Sequence, residues 1–319
     1  MTIFIFRLFS MTYKQTIVNR RGILNHRVVG NFNTPILRWI LTIFVTLQLS
    51  ACSVTSLGYN TLPSLMVWQA DRYFYLTDAQ KSLANERLTA VHRWHRSNEL
   101  PVYVKFLSET DDHLQNASPD ETTVAQWRAT VLKRWPVMAE RMAPGIAELV
   151  LTLTPEQTQR ARKKLSDDNE KYKKEYLLEG HARLKARLER YTKRAEFFVG
   201  DLVEHQVNYL REVCQKLPNA ESAWFVERQA RQAAFFALVE RLQSEKANQA
   251  QATEAVTAYL LGLWTSKDPQ RALIMERSAQ ASDQISTEIL RIASAEQKAL
   301  MRKKLRGYAQ DFEKLFAQN

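Results

Sequence analysis

The same helix-start signal recurs at three places in this sequence, and this recurrence constrains the fold more than any other feature. In each copy a threonine or serine is followed three residues later by a glutamine. Such a pair forms a capping box, in which the two side chains satisfy backbone N–H groups that the first turn of a helix leaves unpaired. We therefore predict a helix beginning at each copy. The three pairs are Thr77 with Gln80, Thr154 with Gln157, and Ser294 with Gln297.

The composition agrees with a fold made of helices. The 319 residues include only 8 glycines and 9 prolines, whereas residues that favour helices, such as Ala, Leu, Glu, Lys and Gln, abound. No run of alternating β-branched residues has the length of a strand. Asp268 followed by Pro269 adds another helix start, because proline at the first helical position loses no hydrogen bond. The predicted fold class is all-α, a multi-helix bundle.

Two of the three copies share more than their caps. Both copies contain Arg-Lys-Lys-Leu, at residues 162–165 and at residues 302–305. Each run begins five residues after the glutamine of the capping box, Gln157 or Gln297. The copies begin at positions 77, 154 and 294, so their spacings are 77 and 140 residues. Unequal spacings do not fit a solenoid of regular repeats. We predict a repeated helix-start unit within one bundle.

A second pattern predicts a long antiparallel helical hairpin. No proline occurs between Pro155 and Pro218, and Gly180 is the expected turn between two long helices. Beyond Gly180, apolar side chains recur at steps of four and three, which is the spacing of a seam between packed helices. We expect the one histidine of this seam, His205, to be a core residue with a hydrogen-bonded ring. The seam consists of Leu184, Leu188, Tyr191, Ala195, Phe198, Leu202, His205 and Tyr209.

A signal peptide is predicted at the amino terminus. Residues 39–49 form an apolar run of eleven residues, which follows Arg38 and precedes the small residues Ser50 and Ala51. A basic flank, a short apolar core and small residues at the cut are the three parts of a signal peptide. Eleven residues are too few to span a bilayer as a helix, which takes about 20. Residues 1–51 are therefore expected to be removed.

The residues at this cut, Leu49-Ser50-Ala51-Cys52, resemble the lipobox of bacterial lipoproteins. The resemblance implies a diacylglyceryl group on the sulfur of Cys52, cleavage before Cys52, and acylation of the new amino terminus, for example with palmitate. Two or more acyl chains anchor a protein stably. Ser53 implies the outer membrane, facing the periplasm, since inner-membrane lipoproteins of enteric bacteria carry Asp there. Residues 52–60 would form a lipidated tether, flexible at Gly58, and residues 61–319 the helical domain.

The charge of the chain narrows the choice of partners. The formal net charge is +11, but six basic and no acidic side chains precede Cys52, so the remainder carries 11 − 6 = +5. This mild excess favours acidic lipid headgroups or acidic protein clients. It lacks the dense basic cluster with interleaved aromatics that nucleic-acid binding needs. Cys52 and Cys214 are the only cysteines, so an acylated Cys52 leaves Cys214 without a disulfide partner.

Few residues suggest catalysis or metal binding. His92 and His95 could share a metal on one helix face, but no third or fourth ligand with a suitable spacing is near, so surface or interface roles suit them better. Cys214 has no assignable base. We predict no enzyme, no catalytic residue, no metal, no cofactor and no small-molecule substrate. Solvated helix faces account for the paired acids, Asp111 with Asp112 and Asp167 with Asp168.

The tryptophans after Cys52 are expected mainly in the core. A ligand groove lined by some of them is the alternative. They are Trp68, Trp94, Trp127, Trp135, Trp224 and Trp264.

Two family resemblances bear on function. The first resemblance rests on the lipobox and on three further motifs. These are Tyr59-Asn60-x-Leu62, Trp68-x-x-Asp71-x-Tyr73-Phe74, and Trp94-His95-Arg96 with Glu99-Leu100-Pro101-x-Tyr103. With them the chain resembles a family of uncharacterised Gram-negative lipoproteins with a domain of unknown function, which implies an envelope location and no mechanism. Leu76-Thr77-x-x-Gln80 and Leu153-Thr154-x-x-Gln157 are similar to motifs of small periplasmic proteins of the Spy and CpxP type. Those proteins are soluble and bind unfolded clients on a cradle of helices.

Three hypotheses for function remain open. The first is a membrane-anchored, non-enzymatic envelope protein that acts as an interaction module or as a chaperone-like module holding unfolded clients. The second is a structural or assembly lipoprotein dedicated to one envelope complex. The third and weakest is an envelope enzyme that uses His92 and His95. Membrane lipid, reached through an acylated Cys52, is a partner in each of them.

Overall fold

A computed structural model describes residues 54–318 of the chain. Regular secondary structure within residues 54–318 is entirely helical, which confirms the all-α fold class. None of the helices in this range has the length and apolar character needed to cross a bilayer. The predicted signal peptide, residues 1–51, and the predicted lipid site, Cys52, lie outside the described residues. The helices are α1 Val54–Asn60, α2 Leu62–Phe74, α3 Asp78–Asn98, α4 Leu100–Asn116, α5 Glu121–Leu132, α6 Trp135–Leu151, α7 Pro155–Tyr176, α8 Gly180–Val199, α9 Glu204–Lys216, α10 Ala220–Ser244, α11 Gln249–Leu261, α12 Pro269–Arg291 and α13 Ala295–Phe316, and a 3-10 turn at Gly262–Trp264 follows α11.

The three predicted capping boxes are all formed, at the starts of α3, α7 and α13. At the first of them, Thr77 N–H donates to Gln80 Oε1 at 2.9 Å and Gln80 N–H donates to Thr77 Oγ1 at 3.3 Å. Asp268 caps α12 as predicted, through a hydrogen bond from Arg271 N–H at 2.8 Å. The local helix-start chemistry is therefore readable from the sequence.

The capping glutamines of α3 and α7 also join two distant parts of the chain. Gln80 Nε2 donates to Gln157 Oε1 at 3.1 Å, and Gln157 Nε2 donates to Gln80 Oε1 at 2.7 Å. Gln80 Nε2 also donates to the carbonyl oxygen of Thr152 at 2.9 Å, and Gln157 Nε2 donates to that of Tyr75 at 3.1 Å. Each carbonyl lies two residues before the capping threonine of the other helix. The two helix starts are thus locked together by a reciprocal amide pair.

A second amide pair with the same pattern joins the starts of α9 and α13. Gln206 Nε2 donates to Gln297 Oε1 at 2.8 Å, and the return bond is 3.0 Å long. Gln206 Nε2 also donates to the carbonyl oxygen of Ile292 at 3.2 Å, and Gln297 Nε2 donates to that of Asp201 at 2.8 Å. Each carbonyl again lies two residues before the first-turn cap position of the other helix. The helix start at Val203 is therefore a fourth copy, and Val203 lacks the side-chain oxygen that marks the other three.

The two amide pairs divide the helices after α1 into two sets of six with the same order of contacts. In the first half, α2–α7, helix α2 packs on α3 and α7, and α3 packs on α6; in the second half, α8–α13, helix α8 packs on α9 and α13, and α9 packs on α12. Contacts between the halves also correspond: α4 packs on α13 as α10 packs on α7, and α5 packs on α12 as α11 packs on α6. Paired glutamines are separated by 157 − 80 = 77 and 297 − 206 = 91 residues. The unequal spacing of the three copies found in the sequence is thus explained by two similar halves, each with two such helix starts. The start at Val203 was not recognised because it lacks a hydroxyl.

Hydrophobic clusters lie both within and between these halves. Helices α6, α10 and α11 meet at side chains that are almost fully buried, and alanines on α6 allow α11 to approach closely. A second cluster is built from α8, α9, α12 and α13, and a third joins α1, α4 and α13 around Leu100 and Leu315. Cys52–Asn319 is one compact unit.

Two local predictions differ from the structure. From Val54 onward, the predicted flexible tether is helical, and its Tyr59 is only 8% exposed. In the predicted hairpin, Gly180 does lie at a turn, with φ +50°, but the second arm breaks at Gly200, with φ +81°, and α7 packs on α2 and α10. The break rotates the seam, so that His205 is exposed, contrary to prediction, and Gln206 is buried.

Candidate functional site

The two histidines considered as metal ligands hold helix α1 instead. His92 Nε2 lies 3.0 Å from the carbonyl oxygen of Tyr59, and His95 Nδ1 lies 2.9 Å from the hydroxyl of the same residue. The carbonyl can only accept, so His92 Nε2 carries a proton and donates to it. The rings of Tyr59 and His92 are 4.4 Å apart. The predicted interface role of the pair is one of fastening the first helix to the domain.

Burial governs the protonation of this cluster. Burial lowers the pKa of His95 to about 4, and it also lowers the pKa of His92. Burial raises the pKa of Tyr59 well above its usual range. Both imidazoles are therefore neutral at neutral pH. Among residues 54–318, no three His, Cys, Asp or Glu side chains are grouped as a metal site would need.

Each pair of adjacent acids has one exposed member and one member in contact with basic side chains. Asp112 and Asp167 are exposed, in agreement with solvated faces. Asp111, in contrast, is 6% exposed and accepts a hydrogen bond from Arg302 Nε at 2.8 Å. Asp168 accepts from the Tyr73 hydroxyl at 2.9 Å. These inward acids join helices, which the sequence pattern did not indicate.

The remaining nucleophile candidate is enclosed. Cys214 is 1% exposed, and burial raises the pKa of its thiol. A protonated, buried thiol behaves as a small apolar side chain. Cys214 therefore has a packing role on the buried face of α9.

An open groove of about 490 Å³ runs between α10, α11 and the segment that follows α11. Its floor is formed by small and apolar side chains, including the exposed alanines Ala234, Ala237 and Ala258. Tyr259 closes one side, with its hydroxyl donating to the carbonyl oxygen of Arg231 at 3.2 Å. A shallower depression of about 450 Å³ lies beside the start of α7. The groove is the larger of the two and offers the greater apolar surface.

The rim of the groove is basic. Four cationic side chains line it, against one carboxylate, Glu227, and this carboxylate is already neutralised. Arg231 Nε and Arg271 Nε donate to Glu227 at 3.0 and 3.2 Å, and Ser266 donates to it at 2.5 Å. Burial opposes ionisation of Glu227, but these donors keep its pKa below the usual value. The cations are Arg231, Arg241, Lys267 and Arg271.

Arginine 231 is only partly satisfied in this arrangement. Its Nη2 atom is buried and makes no hydrogen bond with the described residues. Arg241 and Lys267 are exposed, and neither takes part in an ion pair with the carboxylates of residues 54–318. The groove therefore combines an apolar floor with positive charge that is not fully compensated.

The groove was missed at the level of sequence because its floor is made of alanines. Alanine favours helices whether it is buried or exposed, so its presence predicts a helix and not a groove. In the structure, exposed alanines recur at 230, 234 and 237 along α10, so part of the outer face of this helix is apolar.

Comparison with known proteins gives one match. The model of a family of unknown function, DUF6279, matches residues 72–267, which is 196 of the 319 residues. The matched range extends from the end of α2 to the residue before the cap of α12 and contains most of the groove. No curated protein and no solved structure matches the chain.

Proposed function

This chain belongs to the family of unknown function DUF6279, and from that premise we propose that it is a lipid-anchored protein of the bacterial cell envelope that acts by binding other polypeptides. The anchor is proposed from the resemblance of Leu49-Ser50-Ala51-Cys52 to a lipobox. The binding activity is proposed from one observation, the open groove between α10 and α11 with its alanine floor and basic rim. The outer membrane, facing the periplasm, remains the proposed location.

The shape of the groove suits a helical polypeptide segment. Two neighbouring helices with small side chains form a trough in which the apolar face of a third helix can lie, and this is a recurring mode of peptide recognition. The exposed alanines Ala234, Ala237 and Ala258 allow the backbone of such a segment to approach closely. The cationic rim favours a segment with acidic residues beside its apolar face. A chaperone-like function would use the groove for many such segments, and a dedicated assembly function for one.

The proposal is tested with a soluble protein of residues 53–319 and a denatured model client. Light scattering follows aggregation of the client with and without the protein. We expect suppression near stoichiometric ratios, and its loss in Ala234→Glu, which fills the groove and adds a negative charge. Ala233→Glu is the matched control, because Ala233 is exposed on the same helix and does not line the groove. Equal behaviour of the two variants would exclude the groove as the binding site.

A crosslinking experiment in cells separates many clients from one partner. A photoreactive amino acid at position 258 would label whatever occupies the groove of the full-length protein. A smear of products favours the chaperone-like function, and a single stoichiometric product favours the dedicated partner. The absence of protein adducts at position 258, with adducts equally absent at Ala233, would overturn the binding function itself.

The anchor is tested separately. Metabolic labelling with radioactive palmitate should mark the full chain and should not mark the Cys52→Ala variant. Labelling of neither would refute lipid attachment and would leave the test of the groove unaffected.

A further inference from the structure

Helices α1 and α2 together present one exposed stripe. Thr61 is the only residue between them, and its backbone angles, φ −88° and ψ −5°, are close to helical. Hydrogen bonds from Thr61 N–H to the Leu57 carbonyl and from Leu65 N–H to the Thr61 carbonyl continue the helical pattern across the junction. Exposed residues recur along this nearly continuous helix at steps of four and three as far as Arg72, which keeps them on one face, and the exposed Tyr75 follows at the C-cap, where the backbone is left-handed with φ 55°. They are Leu57, Thr61, Ser64, Trp68, Arg72 and Tyr75.

The stripe has an unusual concentration of exposed apolar side chains. Leu57 is 69% exposed, Tyr75 is 65% exposed and Trp68 is 53% exposed. These are the three most exposed large apolar side chains of residues 54–318. In a protein with a buried core, such residues in one row indicate a surface that is covered in use.

The kinds of side chain in the stripe fit the interface of a bilayer. Tryptophan and tyrosine concentrate where the hydrocarbon of a membrane meets its headgroups. The guanidinium of Arg72 lies 4.9 Å from the ring centre of Trp68, so its charge can reach the headgroups while the ring is buried. No carboxylate belongs to the stripe, and the neighbouring Asp71 pairs with Lys81 at 3.4 Å.

The position of the stripe along the chain places it beside the proposed anchor. Val54 begins α1 only two residues after Cys52, and two residues span at most about 7 Å. The helix cannot swing away from the domain, because the two histidines of α3 hold Tyr59. Leu57 is two residues from Tyr59 and therefore on the opposite side of α1, away from the domain. Helix α1 therefore begins within about 7 Å of the proposed anchor.

We propose that the stripe from Leu57 to Tyr75 lies flat on the phospholipid bilayer and fixes the orientation of the domain relative to the membrane. This inference rests on the proposed lipid anchor for its geometry. Leu57 and Arg72 are 15 residues apart, about 22 Å along the helix, so the stripe runs along the surface rather than into it. The partner is the interfacial layer of the bilayer, with Leu57 and Trp68 in the acyl region and Arg72 at the phosphates.

The experiment holds the domain on vesicles by an artificial anchor, so that it does not depend on acylation of Cys52. Residues 53–319, which lie within the compact unit described above, carry an amino-terminal histidine tag. The tag binds a nickel-chelating lipid in vesicles of phosphatidylethanolamine and phosphatidylglycerol. A polarity-sensitive nitrobenzoxadiazole dye is attached at Leu57→Cys or Trp68→Cys, in a Cys214→Ala background. Leu273→Cys is the matched control, since Leu273 is 51% exposed on α12, a helix that packs on α5 and α10.

We expect the fluorescence of the dye to rise several-fold and shift to the blue at positions 57 and 68 on vesicle binding, and to stay nearly unchanged at 273. No change at 57 and 68 while the protein sediments with the vesicles would overturn the proposal and would indicate that a protein covers the stripe. An equal rise at all three positions would also overturn it, because it would mean non-specific adsorption. Circular dichroism of each labelled variant confirms that it is folded. Palmitate labelling of the full chain reports independently on Cys52, so a failure of the anchor and a failure of the membrane surface can be told apart.

Discussion

The two halves of the molecule solve the same joining problem with different residues. In the first half, hydroxyl groups cap both helix starts, and Gln80 and Gln157 meet behind them. In the second half, Val203 provides no cap, yet Gln206 and Gln297 meet with the same set of hydrogen bonds. The comparison shows that the reciprocal amide pair is the common element and that the hydroxyl cap can be lost.

The halves also differ in how their third helices, α4 and α10, pack against the other half. Helix α4 lies against α13 along much of its length, whereas its counterpart α10 has more limited contact with α7. Helix α10 has 25 residues and its counterpart α4 has 17. The groove between α10 and α11 therefore lies where the second half departs from the first.

The largest expected difference between the halves is in the free energy of unfolding that is lost when the equivalent arginine of each Arg-Lys-Lys-Leu run is replaced. Arg302 pairs with Asp111, whose side chain is 9% exposed, whereas Arg162 pairs with Glu240, whose side chain is 61% exposed. Removing one partner of a buried pair costs about 3 kcal/mol or more, because a charge is left buried, and removing one from a surface pair costs less than about 1 kcal/mol. Urea unfolding of Arg302→Leu and Arg162→Leu should show this contrast. Equal losses would mean that Arg306, which also contacts Asp111 at 3.2 Å, compensates fully.

A second difference arises because α3, with 21 residues, is longer than α9, with 13. The added length carries His92 and His95, which hold α1. The pKa of His95 is about 4 in the folded protein and about 6.5 when unfolded. Because the unfolded chain binds more protons between these values, stability should be constant above pH 6.5 and fall as the pH drops towards 4, by up to about 3 kcal/mol.

Urea unfolding at pH 7, 5 and 4 measures this effect. In His95→Asn, where the amide oxygen can still accept from Tyr59, the loss between pH 7 and pH 4 should be smaller. A loss of the same size in this variant would assign the pH dependence to other groups.

The amide pairs themselves give the third prediction. Gln206 is fully buried, and Gln206→Leu leaves the Gln297 amide and the Ile292 carbonyl without their partner. We expect a loss of about 2 kcal/mol in the free energy of unfolding. The double variant with Gln297→Leu should lose less than the sum of the two single variants, since replacing both partners leaves fewer polar atoms unpaired. Strict additivity would show that the two amides do not stabilise each other.

The sequence predicted the fold class and three of the four helix starts whose glutamines pair, because capping depends on residues only three positions apart. It did not reveal the pairing of the glutamines, which joins residues 77 and 91 positions apart, or the fourth start at Val203. It also assigned His205 to the core, since a four-and-three pattern cannot show that the backbone breaks at Gly200. Interactions that depend on tertiary packing leave little trace in local spacing.

The candidate sites followed the same rule. The residue pattern favoured surface or interface roles for His92 and His95 but could not identify Tyr59 as their partner, because Tyr59 lay in a segment predicted to be a tether. The sequence did not predict the groove, because alanine favours a helix equally whether its side chain is buried or exposed. Solvent exposure of a small apolar residue becomes visible only when the neighbouring helices are in place.

The smallest expected effect tests whether the second half can regain the cap that it lacks. Val203 has an extended backbone, φ −84° and ψ 165°, close to that of Thr77, φ −66° and ψ 164°. Val203 is also 51% exposed, so Val203→Thr removes little buried apolar surface. The new hydroxyl would accept from Gln206 N–H, which now bonds the Val203 carbonyl at 3.0 Å. The gain should therefore be modest, about 0.5 kcal/mol, against a loss of about 1 kcal/mol for Thr77→Val in the first half. If Val203→Thr were destabilising, the valine would be required for packing, and the two helix starts would not be equivalent.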